Sequence, residues 1–222
     1  MRHFSAALFL AALSSVALQG EIEERRGSAA PITIYTQFEQ PCPDSAVAAM
    51  ARELAEIMEP AGLDVEWRPV DSPRSLEPVF TLVVAGFKGS CDIEDLSGGR
   101  TGTGALGWTH TTDGDVLPFT AMDCDRIRGF IGPLVARAEQ KDRETLMGRA
   151  MARVLAHELY HVLARTMDHA KVGVGKSRYT PRDLLSPQFR FEDRQCRALR
   201  TAMLPRLGRT LPHEEQPETG GF

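Results

Sequence analysis

His157, Glu158 and His161 occur in the order His-Glu-x-x-His within HELYHVLARTMDH at 157–169, a stretch that holds three of the chain's six histidines. On an α-helix, residues four apart share a face one turn from each other. Two imidazoles so placed can bind one zinc ion, while the carboxylate between them points at the coordination position where water sits. Zinc lowers the pKa of that water towards about 7, and the carboxylate can take its proton and pass it to a leaving amine. The spacing therefore predicts His157 and His161 as metal ligands and Glu158 as general base. A catalytic zinc also needs a third protein ligand. His169, eight residues after His161, is the first choice, because a turn beyond the helix can swing it back. Asp168 beside it, Glu192 in FRFEDRQC, or water are the alternatives.

The pattern carries chemistry only if a helix positions it. From Thr145 to Arg165 there is no proline, and Gly148 is the only glycine, which predicts one helix of about six turns. Met147, Met151, Leu155, Leu159, Val162 and Leu163 form its core stripe at about 100° per residue. His157 and His161 project from another face, flanked by Ala150, Val154 and Ala164, so that face should border a cleft. The alternative is a helix bearing histidines by chance.

The elements before it must supply the scaffold. ITIYT at 32–36 alternates like a strand, and 44–58 repeats apolar residues at helical spacing, with Asp44 as N-cap and EPAG at 59–62 as the stop. Residues 63–70 and 79–87 read as strands, the second apolar enough to be buried on both faces. This order predicts an α+β fold with a helix on a mixed sheet. GTGALG at 102–107 matches G-x-G-x-x-G, but ALGWTH continues as a strand rather than opening a helix, so no dinucleotide site is expected. GWTHTTDGDVLPF reads as a hairpin turning at Asp113-Gly114, with Trp108 and His110 either lining the cleft or forming an ordinary hairpin pair. A weak or bent helix is expected over 123–139, a short one at 180–185 capped by Thr180, and a last one over EDRQCRALRTAML.

Composition sets the class. With 42% hydrophobic and 25% charged residues, the 222-residue chain can build one sizeable globular core. Residues 1–20 read as an export signal, with a signal-anchor as the alternative, and 21–30 as a linker; no later stretch is long enough to span a bilayer. The mature protein is therefore expected to be secreted or periplasmic. Four cysteines in an exported chain favour two disulfides; of the three pairings, Cys91 with Cys124 and Cys42 with Cys196 is preferred. A net charge of -4 gives no reason to expect a nucleic-acid partner, and the absence of asparagine excludes N-glycosylation.

HELYHVLARTMDHAKVGVGK resembles the zincin metallopeptidases, most of all the metzincins, whose pattern is H-E-x-x-H-x-x-G-x-x-H followed by a tight turn containing methionine. Here Ala164 stands at the glycine, Met167 at the third histidine, His169 comes two residues late, and Val174 takes the place of the turn methionine. The resemblance implies a zincin-like fold: a mixed twisted sheet and two long helices over a cleft in 31–166, a small, mostly helical subdomain in 167–204, and a flexible tail at 205–222. It implies a zinc endopeptidase acting on a peptide or protein that lies extended along an edge strand within ALGWTH or VLPFT, with Tyr179 as a transition-state stabiliser. A monomer is expected. The competing expectation is a catalytically weak, zinc-stabilised binding or scaffold protein on the same fold.

Overall fold

The computed structural model describes residues 30–207 apart from 95, 97, 98 and 101; the expected signal, the linker up to 29 and the tail beyond 207 lie outside the described residues, whereas 205–207, expected as the start of the tail, continue the last helix. The fold is α+β with one mixed five-stranded sheet. In chain order come β1 (Ala30–Phe38), α1 (Asp44–Met58), β2 (Leu63–Pro69), β3 (Leu82–Lys88), β4 (Gly107–Thr112), β5 (Asp115–Asp123), α2 (Cys124–Val135), α3 (Gln140–Ala164), α4 (Pro181–Leu185) and α5 (Asp193–Leu207). The strand order is β2-β1-β3-β5-β4. All neighbours are parallel except β4, which runs antiparallel to β5 and forms one edge.

The hairpin forms where Asp113-Gly114 predicts it: both turn residues have positive φ, 49° and 86°, the backbone a two-residue hairpin turn requires. The pairing shifts between Thr109 and Thr111, so His110 sits at a bulge. It is exposed and takes no part in the cleft. β3 differs from expectation. Its burial alternates, with Val83, Ala85 and Phe87 covered and Leu82 40% exposed, because the helices pack against one face of the sheet. Pro43, without a side-chain hydrogen bond, stands at the α1 N-cap, and Asp44 is the first helical residue, where its charge suits the helix dipole. The chain leaves α1 through Glu59–Ala61 and Gly62, whose φ of 69° glycine accepts without strain.

α2 ends at Val135 rather than near Glu139, two residues after Pro133, whose ring removes a helical hydrogen bond. The guanidinium of Arg143 donates to the carbonyls of Ala136 and Ala138 in the link that follows. α3 starts five residues earlier than its apolar pattern suggests and runs for 25 residues. Its one glycine has a packing reason: a Cβ on Gly148 would fall 2.2 Å from the Ala46 carbonyl oxygen, so α1 and α3 touch backbone to backbone there. From Met147 to Leu163, α3 is almost entirely buried.

Cys91 and Cys124 are bonded, as expected, but Cys42 and Cys196 are free thiols. Cys42 lies just before α1, whereas α5, which carries Cys196, packs at the other end of α1, where Arg200 donates to the Pro60 carbonyl at 2.8 Å. The 15 residues of α1 span about 22 Å, several times the reach of a disulfide. Burial, with Asp92, Asp44 and Glu144 adding to it, pushes the Cys42 thiol up to about 12 and keeps it protonated. No helix among the described residues is long and apolar enough to cross a membrane.

Candidate metal centre

α3 carries a row of polar side chains at four-residue spacing: Arg149, which is partly buried, and Arg153, His157 and His161, which are buried. The first half of the row meets α1. Glu53 accepts from Arg153 at 2.8 and 3.0 Å and from Arg190 at 2.7 Å, and pairs with Arg149 at 3.3 Å. Arg153 also donates to the Asp183 carbonyl at 2.7 Å, and Arg190 reaches Glu56 at 2.8 Å. Burial raises the Glu53 carboxyl, but the hydrogen bonds and charges of Arg153 and Arg190 outweigh it and hold the group below the usual carboxylate value.

The second half of the row faces a cleft of about 830 Å³. Its roof is formed by Arg100 and residues 102–109, and its other wall by Met167, His169 and residues 176–179. His157 Nδ1 lies 2.9 Å from the Val174 carbonyl oxygen, and His161 Nδ1 lies 2.7 Å from that of Thr166. A carbonyl only accepts, so both Nδ1 atoms carry the proton and both Nε2 atoms present lone pairs. Those two Nε2 atoms lie 3.0 Å apart. Two lone pairs held that close repel each other unless a cation lies between them. Burial, reinforced by His161 and His169, pushes His157 down to about 4 against the opposing Val174 hydrogen bond, and burial lowers His161 as well. The rings are thus neutral near pH 7, the state in which imidazole binds metal.

The chain brings the third histidine in by ending α3 abruptly. Arg165 adopts φ 50°, its N–H and that of Thr166 both return to the His161 carbonyl, and the Thr166 hydroxyl accepts from Asp168 N–H at 3.0 Å. His169 then stacks 5.2 Å from His157 and sits 4.9 Å from His161, ring centre to ring centre. Its ligand atom and those of His157 and His161 all lie within 4.8 Å of one another, so the three can hold a metal ion. Neither Asp168 nor Glu192 joins this group; the Glu192 N–H is bound by Gln195 at the start of α5. Met167, at the position the metzincin pattern gives its third histidine, lies half-exposed on the cleft wall.

Glu158 is buried beside the histidines and faces the edge strand. Burial pushes its carboxyl up to about 7, against a 2.7 Å hydrogen bond donated by Thr109 Oγ to Oε2. Gly107 makes room for it, since a Cβ there would fall 3.2 Å from Oε1 and 2.7 Å from Val154. Val174 is fully buried, and the turn that holds it is pinned by the Ala170 N–H to Gly175 carbonyl bond at 2.7 Å and by Val174 N–H to the Arg190 carbonyl at 3.1 Å. Tyr179 donates its hydroxyl to the same Val174 carbonyl that His157 uses, and its ring meets His157 edge-on at 5.6 Å. Burial, with Glu158 and Asp183 adding to it, raises its phenol well above the usual value.

Trp108 lines the cleft, so one of the two hairpin side chains considered from sequence belongs there. Sequence reasoning missed Thr109 and the backbone carbonyls of Val174 and Thr166, whose roles depend on tertiary contact. It also missed Arg149 and Arg153, although their four-residue phase with the histidines is visible in the sequence. No family model matches the chain, and no curated protein matches it.

Proposed function

We propose that this chain is an exported zinc metallopeptidase of zincin-like fold, an endopeptidase holding zinc through His157, His161 and His169 with Glu158 as general base. The observation that carries this reading is the pair of Nε2 lone pairs 3.0 Å apart, each aimed by a carbonyl behind the ring. Tetrahedral zinc with bonds of about 2.0–2.1 Å separates two ligand nitrogens by about 3.4 Å, close to that spacing. A set of neutral imidazoles also suits zinc better than calcium or magnesium, which prefer oxygen.

Zinc bound here would act as a Lewis acid and activate water for attack on a carbonyl. The protein's own groups do the rest. Thr109 occupies Oε2 of Glu158, leaving Oε1 to accept a proton and later return it to the departing amine. A carboxyl near pH 7 is suited to both steps. The outer edge of β4 borders the cleft and can bind an extended peptide through backbone hydrogen bonds. Tyr179 holds a hydroxyl donor beside His157 that can turn from the Val174 carbonyl to a developing oxyanion. The Cys91–Cys124 bond supports an oxidising, extracytoplasmic location.

The Tyr179 hydroxyl, already engaged by Val174, favours a second reading: a zinc-stabilised binding protein with weak catalysis. Zinc content per chain, measured on the parent and on Glu158→Gln and His169→Ala, together with cleavage of a peptide library, separates the two. The peptidase reading requires about one zinc in the parent, cleavage by the parent alone, zinc retained in Glu158→Gln, and much less zinc in His169→Ala. Zinc without cleavage by the parent leaves the binding protein; no zinc in the parent removes both.

A further inference from the structure

The GTGALG segment leads into β4 rather than into a helix, and it shapes one wall of the cleft. Gly104 lies against the guanidinium of Arg126, and a Cβ there would fall 2.6 Å from Arg126 Cζ. Arg126 and Arg100 share one carboxylate: Asp123 lies 3.5 Å from the first and 3.3 Å from the second. That carboxylate balances one of the two charges. Across the cleft, Lys176 is neutralised by Asp183 at 2.6 Å, while Arg178 is exposed and has no ion pair among the described residues. Glu158, at the centre, is the one acidic side chain of the described lining. A chain with a net charge of -4 thus places two uncompensated arginine charges around its candidate metal centre, one on each wall.

Resting on the peptidase reading, we propose that the cleft selects acidic peptides: Asp or Glu side chains on the bound strand are met by the Arg100–Arg126 pair on one wall and by Arg178 on the other. Arginine suits this task because its planar fork pairs with a carboxylate through two hydrogen bonds. Low-dielectric walls focus the field of the surplus charge into the cleft, which attracts anionic chains and repels cationic ones. Exposed pairs are weak and salt-screened, so the selectivity is shared among the arginines and falls as ionic strength rises.

The test uses three fluorescein-labelled octapeptides that share a central Ala-Val pair and carry Glu, Gln or Lys at the six flanking positions. Binding is read by anisotropy on the zinc-loaded Glu158→Gln protein, and cleavage on the parent. Expected are binding of the Glu peptide roughly tenfold tighter than the Gln peptide in 50 mM salt, little binding of the Lys peptide, and a Glu-to-Gln ratio that shrinks at 500 mM salt. Arg178→Gln and Arg100→Gln should each reduce that ratio about two- to fivefold, and the double variant should bring it near one. Zinc content and thermal unfolding of each variant check that the site is intact. If the Gln or Lys peptide binds and is cleaved as well as the Glu peptide, the inference is overturned and the peptidase reading stands. If the Glu peptide binds selectively and nothing is cleaved, the peptidase reading fails and the acidic-peptide site stands on a binding protein.

Discussion

Arg149, partly buried, and Arg153 begin a row on α3 that His157 and His161 continue, and the two halves are satisfied in opposite ways. The arginine half is closed: the Glu53 carboxylate and the carbonyls of Asp183 and Leu185 meet its donors from within the chain. The histidine half is open. Its Nδ1 atoms are bound by carbonyls, and its Nε2 atoms face each other across 3.0 Å. Buried polar groups normally find partners, so one helix carrying a completed cluster and an incomplete one locates the place where a metal ion can be held. The closed half also serves the open one. It ties α1 and α3 to the Asp183 and Arg190 backbone regions, and the Arg190 carbonyl pins the turn whose Val174 carbonyl orients His157.

The comparison breaks most sharply by chemistry at the open half. Glu158→Gln should lower the peptide-cleavage rate by about 10²- to 10⁴-fold, the usual worth of a general base, and barely move the urea midpoint. At the closed half the effects reverse. Glu53→Leu strands the fully buried Arg153 and should cost about 3–5 kcal/mol in urea unfolding, whereas Glu53→Leu with Arg153→Met should recover most of that loss. An equal loss in the single and double variants would mean that the network is not closed in the sense described.

Zinc addition reads the open half alone. Zinc at a hundred times its Kd should stabilise the folded state by about 2.7 kcal/mol, raise Tm accordingly, and do neither in His157→Ala. The smallest effect is acid sensitivity of the closed half. The Glu53 carboxyl titrates below its ordinary value, so its contribution is full above the unfolded pKa and fades as pH falls through the lowered one. Denaturant midpoints measured downward from about pH 5 should therefore fall more steeply in the parent than in Glu53→Gln.

Local signals in the sequence carried well. The Asp113-Gly114 turn, the glycine stop after α1, the core stripe of α3 and the pairing of His157 with His161 on one helix face each depend on neighbours within a turn or two. What failed was set at a distance. The one-sided burial of β3 depends on where the helices pack, and the separation of Cys42 from Cys196 depends on which end of α1 receives α5. At the site, two of three histidines share a helix and were legible as a pair. The placement of His169 depends on a left-handed Arg165, a conformation no residue type there announces. Thr109, 49 residues from Glu158, becomes visible only when the hairpin packs on α3.

The Cys91–Cys124 bond closes a covalent ring across a sequence separation of 33, and that ring contains the roof of the cleft, from the glycine-rich segment into the start of β4, together with β5. A backbone cut at one bond inside the ring would leave both pieces joined through sulfur. Such a nicked molecule would run as one band without reductant and as two with it. The roof of this cleft is therefore the segment in which the chain can survive being severed, a useful property for a protein whose proposed work is cutting peptides.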